Sequence, residues 1–161
     1  MISIQPISED NYEEVLALKA SEDLVAPNWE SLAEAYVSLK HAVDKSEPRL
    51  AELPFAILYG ETAVGFAMVC FEGGEDVNAG AGIFWLSRLM IDEKHQGKGY
   101  GKAAMMLLLD FARSKPNGCE AKYAYTSYVP GNQAAAKLYA RLGYEKTGQV
   151  LGGEEVVRLV L

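Results

Sequence analysis

A single α/β domain built on a mixed sheet is the fold class this sequence predicts, and three observations predict it. Candidate strands and amphipathic helices follow in the order β, two helices, a strand meander, then βαβαββ, an alternation that suits helices packed on a central sheet. The run from Ile83 to Ile91 is apolar on both faces, as a strand in the middle of a buried sheet must be. The chain has 161 residues and no internal repeat, linker or low-complexity tract. One domain spanning residues 1–161 is therefore expected, long enough to bury roughly two-thirds of its unfolded surface.

The elements follow in order. Ile2 to Ile4 alternates as a short strand that Pro6 ends. Ser8, followed by Glu9 and Asp10, has the character of an N-cap with an acidic first turn, and Tyr12, Val15 and Leu16 recur at helical spacing. Pro27 breaks the chain before a second helix, whose apolar face is Leu32, Tyr36, Leu39 and Val43. Pro48 and Pro54 bracket a connection. Phe55 to Tyr59 and Ala63 to Phe71 read as a hairpin across Gly60-Glu61-Thr62. The polar, glycine-rich stretch Glu72–Gly82 reads as the loop of a second hairpin, which Ile83 to Ile91 completes.

Beyond that central strand, Met105, Leu108, Leu109 and Ala112 form a helical stripe that Pro116-Asn117-Gly118 stops. Lys122 to Tyr128 is the next strand, and Pro130-Gly131 leads into a helix carrying Ala135, Leu138, Tyr139 and Leu142. Tyr144–Val150 and Glu154–Leu161 close the chain as two strands across Gly152-Gly153.

Charge and composition narrow the function. A formal net charge of −7 argues against nucleic acid as the main partner and favours cationic small molecules. No apolar run approaches the ~18 residues of a membrane span, and Met1-Ile2-Ser3-Ile4-Gln5-Pro6 has no signal-peptide character. Only Cys70 and Cys119 are present, far apart, which suits a reducing compartment rather than a disulfide scaffold. A cytoplasmic protein without a membrane partner is expected. No Cys/His cluster has metal-ligand spacing, and no Ser-His-Asp or Cys-His arrangement is evident; no metal is expected.

The segment Gln96-Gly97-Lys98-Gly99-Tyr100-Gly101-Lys102 carries the most chemistry. Its glycines let the chain turn tightly and bring bare backbone close to a ligand. The helix that follows offers unpaired N–H groups and a positive dipole end, which suit a phosphate, and Lys98 and Lys102 add positive charge. The spacing is not the Gly-x-Gly-x-x-Gly of a dinucleotide fold, and no P-loop is present.

The stretch Ile91–Lys102 resembles the acetyl-CoA pyrophosphate loop of GNAT-superfamily N-acetyltransferases. A second block, Asn132–Tyr139 ending in Leu142-Gly143-Tyr144, resembles that superfamily's downstream helix, in the expected order and with one strand between. Trp85–Asp92, the tail from Gly148 to Leu159 and Val25–Tyr36 are similar to bacterial spermine/spermidine (diamine) acetyltransferases. The resemblance implies a mixed, mostly antiparallel sheet flanked by helices, acetyl-CoA as co-substrate and a small-molecule amine as acceptor. A polyamine leads. A protein N-terminus, an amino acid or an aminoglycoside is the alternative acceptor, and a non-catalytic acyl-CoA binder the alternative function.

Residue by residue, the resemblance places Gln96, Gly97, Lys98, Gly99, Tyr100, Gly101 and Lys102 around the diphosphate. It also implies that Leu89, Met90 and Ile91 present backbone groups to the pantetheine arm, where a bulge parts their strand from its neighbour. Asn132 is expected to cap its helix and to meet the cofactor, with Lys137 near the nucleotide end. Tyr139 is the expected general acid toward the leaving thiolate, since an ordinary pKa near 10 keeps it protonated at neutral pH. A primary ammonium must lose a proton at a cost of roughly 4 kcal/mol at pH 7. Glu34, Glu72, Glu75 and Asp76, or a water chain ending on one of them, are candidates for that base; His41 and His95 are poor ones. Direct attack in a ternary complex is expected.

Acceptor specificity is assigned to the first two helices, the Glu72–Gly82 loop and the Val150–Glu155 turn, with Trp29, Tyr36 and Trp85 as aromatic faces for a cation. Glu30 and Glu34 stand one helical turn apart, as two amines of a polyamine would require. A homodimer through the closing strands is compatible with the sequence.

Overall fold

A computed structural model of the chain describes residues 1–19, 53–72 and 82–161. The expected second helix, with Trp29, Glu30, Glu34, Tyr36 and His41, lies outside the described residues, as do Glu75 and Asp76. Seven strands form one sheet: β1 (Ile2–Pro6), β2 (Leu53–Tyr59), β3 (Thr62–Glu72), β4 (Gly82–Ile91), β5 (Ala121–Tyr128), β6 (Glu145–Leu151) and β7 (Glu154–Val160). Their spatial order is β1-β2-β3-β4-β5-β7-β6. Every neighbouring pair is antiparallel except β4–β5. The described helices are α1 (Tyr12–Leu16), α2 (Tyr100–Arg113) and α3 (Gln133–Arg141). This is the mixed, mostly antiparallel sheet that the sequence led us to expect.

Two apolar cores form, one on each face. α2 buries Ala104, Met105, Leu108, Leu109 and Ala112, the stripe legible from its spacing, against Phe55, Ile57, Val69, Phe84 and Leu86. Tyr139 of α3 joins the same core. On the opposite face α1 seats Val15 among Ala56, Leu58, Phe66, Met68 and Met90.

Local capping departs from expectation at the first helix. Asn11, not Ser8, occupies the cap position. The Ser8 hydroxyl accepts from Asp10 N–H and the Ser8 carbonyl from Tyr12 N–H. Ser8 therefore builds the turn ahead of the helix, the local competition typical of short hydroxyl side chains. Pro6 closes β1 from within, paired with Phe55, which an edge strand tolerates because no inner ladder needs its missing N–H.

One irregularity sets up the site. Met68 stands opposite Arg88, yet the next residue, Val69, stands opposite Leu86. Ser87 is thus an extra residue in β4, a bulge that reverses which face each later side chain takes. Phe84 and Leu86 lie in the α2 core before it; Leu89 and Ile91 pack against that core after it, while Met90 joins the α1 core. An unbulged strand would have driven Arg88 into the α2 core.

The second consequence is at β5. The parallel pairing runs only from Gly82–Ala121 to Leu86–Thr126. Past it β4 continues beside β3 and β5 continues beside β7. The strands part, and the main chain of Ser87–Ile91 on its β5 side is left without a strand ladder. Gly65 makes this arm possible from behind: a Cβ there would lie 2.5 Å from the Met90 carbonyl oxygen.

Candidate active site

The turn between β4 and α2 is anchored by Asp92, 7% exposed. One carboxylate oxygen accepts from Lys94 N–H and the other from Lys19 N–H, each at 3.0 Å. Burial by itself would raise the Asp92 pKa, but those two backbone donors, with the charges of His95 and Lys94, hold it below the ordinary carboxylate value. Its contribution to stability is therefore present above about pH 4 and is lost as pH falls through the lowered native value. Asp92→Asn leaves one acceptor oxygen and turns an amide toward a second N–H. It should lower stability by about 2–4 kcal/mol and flatten the acid limb of stability against pH, as urea titration at pH 3 to 7 would read.

A single 3₁₀ turn, Glu93–His95, follows, and Gln96 donates its side-chain amide to the Ile91 carbonyl at 3.0 Å. Gly97 and Gly99 then adopt φ of +74° and +81°. Gly99 caps α2 with no side chain closing the helix end, and the first bond back to it is Ala103 N–H to the Gly99 carbonyl. The N–H groups of Tyr100, Gly101 and Lys102 therefore precede the helical ladder, at the positive end of a 14-residue helix. Among the described residues, nothing beyond the chain neighbours lies within 4 Å of where a Cβ would stand on Gly97 or Gly99. The result is a bare concavity of donors fit to hold a diphosphate.

Gly101 differs. It is absent from the positive-φ residues, and a Cβ there would meet Ile91 and Leu138 at ordinary contact distances. The side chains around the loop are mostly structural. Tyr100 stacks on Tyr59 at 5.1 Å with His95 on its other flank at 6.4 Å, and Lys98 donates to the Lys94 carbonyl at 3.1 Å. Lys102 is exposed.

Tyr139 stands where the strands part. It is 6% exposed, its ring beside Tyr128 and Tyr144. Its phenol lies close to the Thr126 side chain. Thr126, buried itself, donates to the Leu86 carbonyl at 3.1 Å. Burial pushes the Tyr139 phenol above the ordinary tyrosine value; the Thr126 hydroxyl opposes that rise and the charge of Glu154 adds to it. The phenol stays protonated across the physiological range, as a proton donor must. Asn132 caps α3 as expected, accepting from Ala135 N–H at 3.1 Å, and Lys137 is exposed on the same helix.

On the opposite sheet face Trp85 stacks on Tyr125, centroids 6.0 Å apart and nearly parallel. Arg158 lies over the neighbouring Tyr123 at 5.2 Å. Glu72 ends β3 opposite Ile83; Trp29 and Glu34 lie outside the described residues. Among the described residues no group of His, Cys, Asp and Glu is arranged to hold a metal ion. Thr126 was the residue most open to being found from sequence. It is the one polar side chain on the buried parity of Ala124, Thr126 and Tyr128.

The fold of this chain is shared by solved N-acetyltransferases. Aminoglycoside acetyltransferase AAC(6′)-Ib in complex with coenzyme A superposes with a TM-score of 0.70 at 17% identity, covering 99% of this chain and 95% of that one. The PaiA N-acetyltransferase of Thermoplasma acidophilum in complex with coenzyme A gives 0.67 at 15% identity, covering 100% and 99%. The spermine/spermidine N(1)-acetyltransferase of Bacillus subtilis (strain 168) is 28% identical over 158 residues, 97% of this chain and 96% of that protein. The chain belongs to the acetyltransferase (GNAT) family, which it matches over residues 17–144. It is an acyltransferase, with acetyl-CoA as co-substrate. No helix among the described residues is long and apolar enough to cross a membrane.

Proposed function

We propose that residues 1–161 form one cytoplasmic acetyltransferase domain that acetylates a primary amine of a small molecule, a polyamine such as spermidine or spermine, by direct attack in a ternary complex. The observation that carries the reading is the pair of positive-φ glycines opening onto the uncapped start of α2, beside the point where β4 and β5 part. The likeness to the Bacillus subtilis polyamine enzyme and the net charge of −7 support a cationic acceptor.

The backbone N–H groups from Gly97 to Lys102 grip the diphosphate, with Gln96 holding the turn closed. Main-chain groups of Leu89, Met90 and Ile91 face the pantetheine arm and polarise the thioester carbonyl. Asn132 and Lys137 flank the nucleotide side. Trp85 and Glu72 serve the acceptor side, where aromatic faces and carboxylates suit ammonium groups; Trp29 and Glu34, outside the described residues, are assigned to the acceptor from the sequence alone. The neutral amine attacks the carbonyl carbon, the C–S bond breaks, and Tyr139 protonates the departing thiolate. Cys70 and Cys119 are not joined in a disulfide, which suits the cytoplasm.

A thiol-release assay with acetyl-CoA and a panel of amines tests this. Release with spermidine and spermine but not with aminoglycosides, amino acids or N-terminal peptides is the expected result. Preference for one of the others reassigns the acceptor, and acetyl-CoA binding without release for any amine reduces the chain to an acyl-CoA binder.

A further inference from the structure

The Ser127–Glu154 pair is the strongest feature that the acetyl-transfer reading leaves unused. Ser127 is the first residue of β5 beyond the last β4 partner, Thr126, so its side chain sits at the mouth of the parting. Its hydroxyl donates to one carboxylate oxygen of Glu154. Glu154 opens β7 directly after the Gly152-Gly153 turn, paired with Leu151. The other carboxylate oxygen takes no described hydrogen bond. Both residues are half-buried, open to a ligand yet fixed in orientation.

The neighbouring charges are disposed to leave this carboxylate available. The adjacent Glu155 is committed elsewhere, to Lys146 at 2.9 Å and to the Tyr128 phenol at 2.9 Å. Arg158, further along β7, lies over Tyr123. From α3 the Tyr139 phenol is near enough for the Glu154 charge to raise it. Among the described residues, Ser127 bonds Glu154 directly and the Tyr139 phenol feels its charge.

We propose that Glu154, oriented by Ser127 at the mouth of the β4–β5 parting, accepts the proton of the attacking amine nitrogen. The assignment rests on the acetyl-transfer reading above and names its missing base. An ammonium acceptor first loses one proton to solvent. As the new C–N bond forms, the nitrogen becomes acidic and its second proton passes to the Glu154 carboxylate. The C–S bond breaks and the thiolate takes the Tyr139 proton. Glu154, now a carboxylic acid, releases that proton to solvent and the Tyr139 phenolate takes one from solvent, both downhill at neutral pH because a carboxylic acid is far stronger than a phenol. Both groups are reset, and one proton per turnover is released.

The test compares Glu154→Gln and Ser127→Ala with the unaltered chain, using acetyl-CoA and the best amine of the panel. Glu154→Gln should lower kcat about 10²-fold, keep the acetyl-CoA dissociation constant, and abolish the acidic limb that carboxylate protonation puts on the pH profile of kcat. Ser127→Ala keeps the carboxylate but not its orientation, so a smaller loss with the acidic limb intact is expected. A purely structural Glu154 would weaken stability or cofactor binding and leave that limb in place, which overturns the assignment. So does wild-type kcat in Glu154→Gln while the parent turns over. If Glu154→Gln does not fold, Ser127→Ala with wild-type kcat overturns it. A parent that binds acetyl-CoA but releases no thiol with any amine overturns the transfer reading first, and this assignment with it.

Discussion

Tyr139→Phe is expected to slow turnover by about 10²–10³-fold, the range of a single positioned proton donor, while acetyl-CoA binds as before. The ring stays where it is, because Phe keeps the packing against Tyr128 at 6.1 Å and Tyr144 at 5.5 Å. Only the O–H is lost, and Thr126 retains its bond to the Leu86 carbonyl. Stability should therefore fall by no more than about 1 kcal/mol, the net worth of one hydrogen bond. The loss of rate is bounded because a thiol with a pKa of about 8.5 is already a tolerable leaving group as its anion. Rapid-mix thiol release, with cofactor affinity measured separately, reads both quantities. Unchanged kcat where chemistry limits the rate removes Tyr139 from the reaction. The upward push on the phenol also places no loss of activity from this group below about pH 10.

Gly99→Val is expected to weaken acetyl-CoA binding by about 10–100-fold, the loss of one charge-assisted backbone contact at about 1.5–3 kcal/mol. Two effects combine. At φ +81° a β-branched residue is strained by roughly 1–2 kcal/mol, so the turn relaxes away from the shape that aims its N–H groups. The new side chain also enters space where, among the described residues and beyond the chain neighbours, no atom lies within 4 Å of its Cβ, the space proposed above for the diphosphate. Gly101→Ala separates these causes: its φ is not positive and its Cβ meets only Ile91 and Leu138, so a far smaller effect is expected. Calorimetry of acetyl-CoA binding to both variants makes the comparison. Equal affinity of Gly99→Val and the parent means the ligand is held elsewhere.

The contrast between those glycines shows where sequence reading reaches its limit. All three belong to one motif, yet only Gly97 and Gly99 carry the left-handed backbone. The stripe of α2 and the cap of α3 by Asn132 were legible because each depends on residues within three or four positions. The cap of α1 falls at Asn11 and not at Ser8 for a local reason too: the two polar residues compete within one turn, where Asn11 Oδ1 accepts from Ser8 N–H and the Ser8 carbonyl accepts from Asn11 N–H.

Other features had no local signal. The Ser87 bulge is a mismatch between two strands, and neither strand alone reveals it. Thr126 reaches Leu86 across 40 positions, and Ser127 reaches Glu154 across 27. Asp92 holds Lys94 within its own turn and also Lys19, 73 positions away.

The order of elements, the apolar faces and the glycine turn with its helix start were determined by the sequence alone, because backbone preference and hydrophobic period act over a few residues. The tertiary structure alone decided that β4 bulges and leaves β5, and that at this point Tyr139 comes to Thr126 and Glu154 to Ser127. Those outcomes depend on strand register, which arises only when distant segments compete to bury their apolar faces in a common sheet.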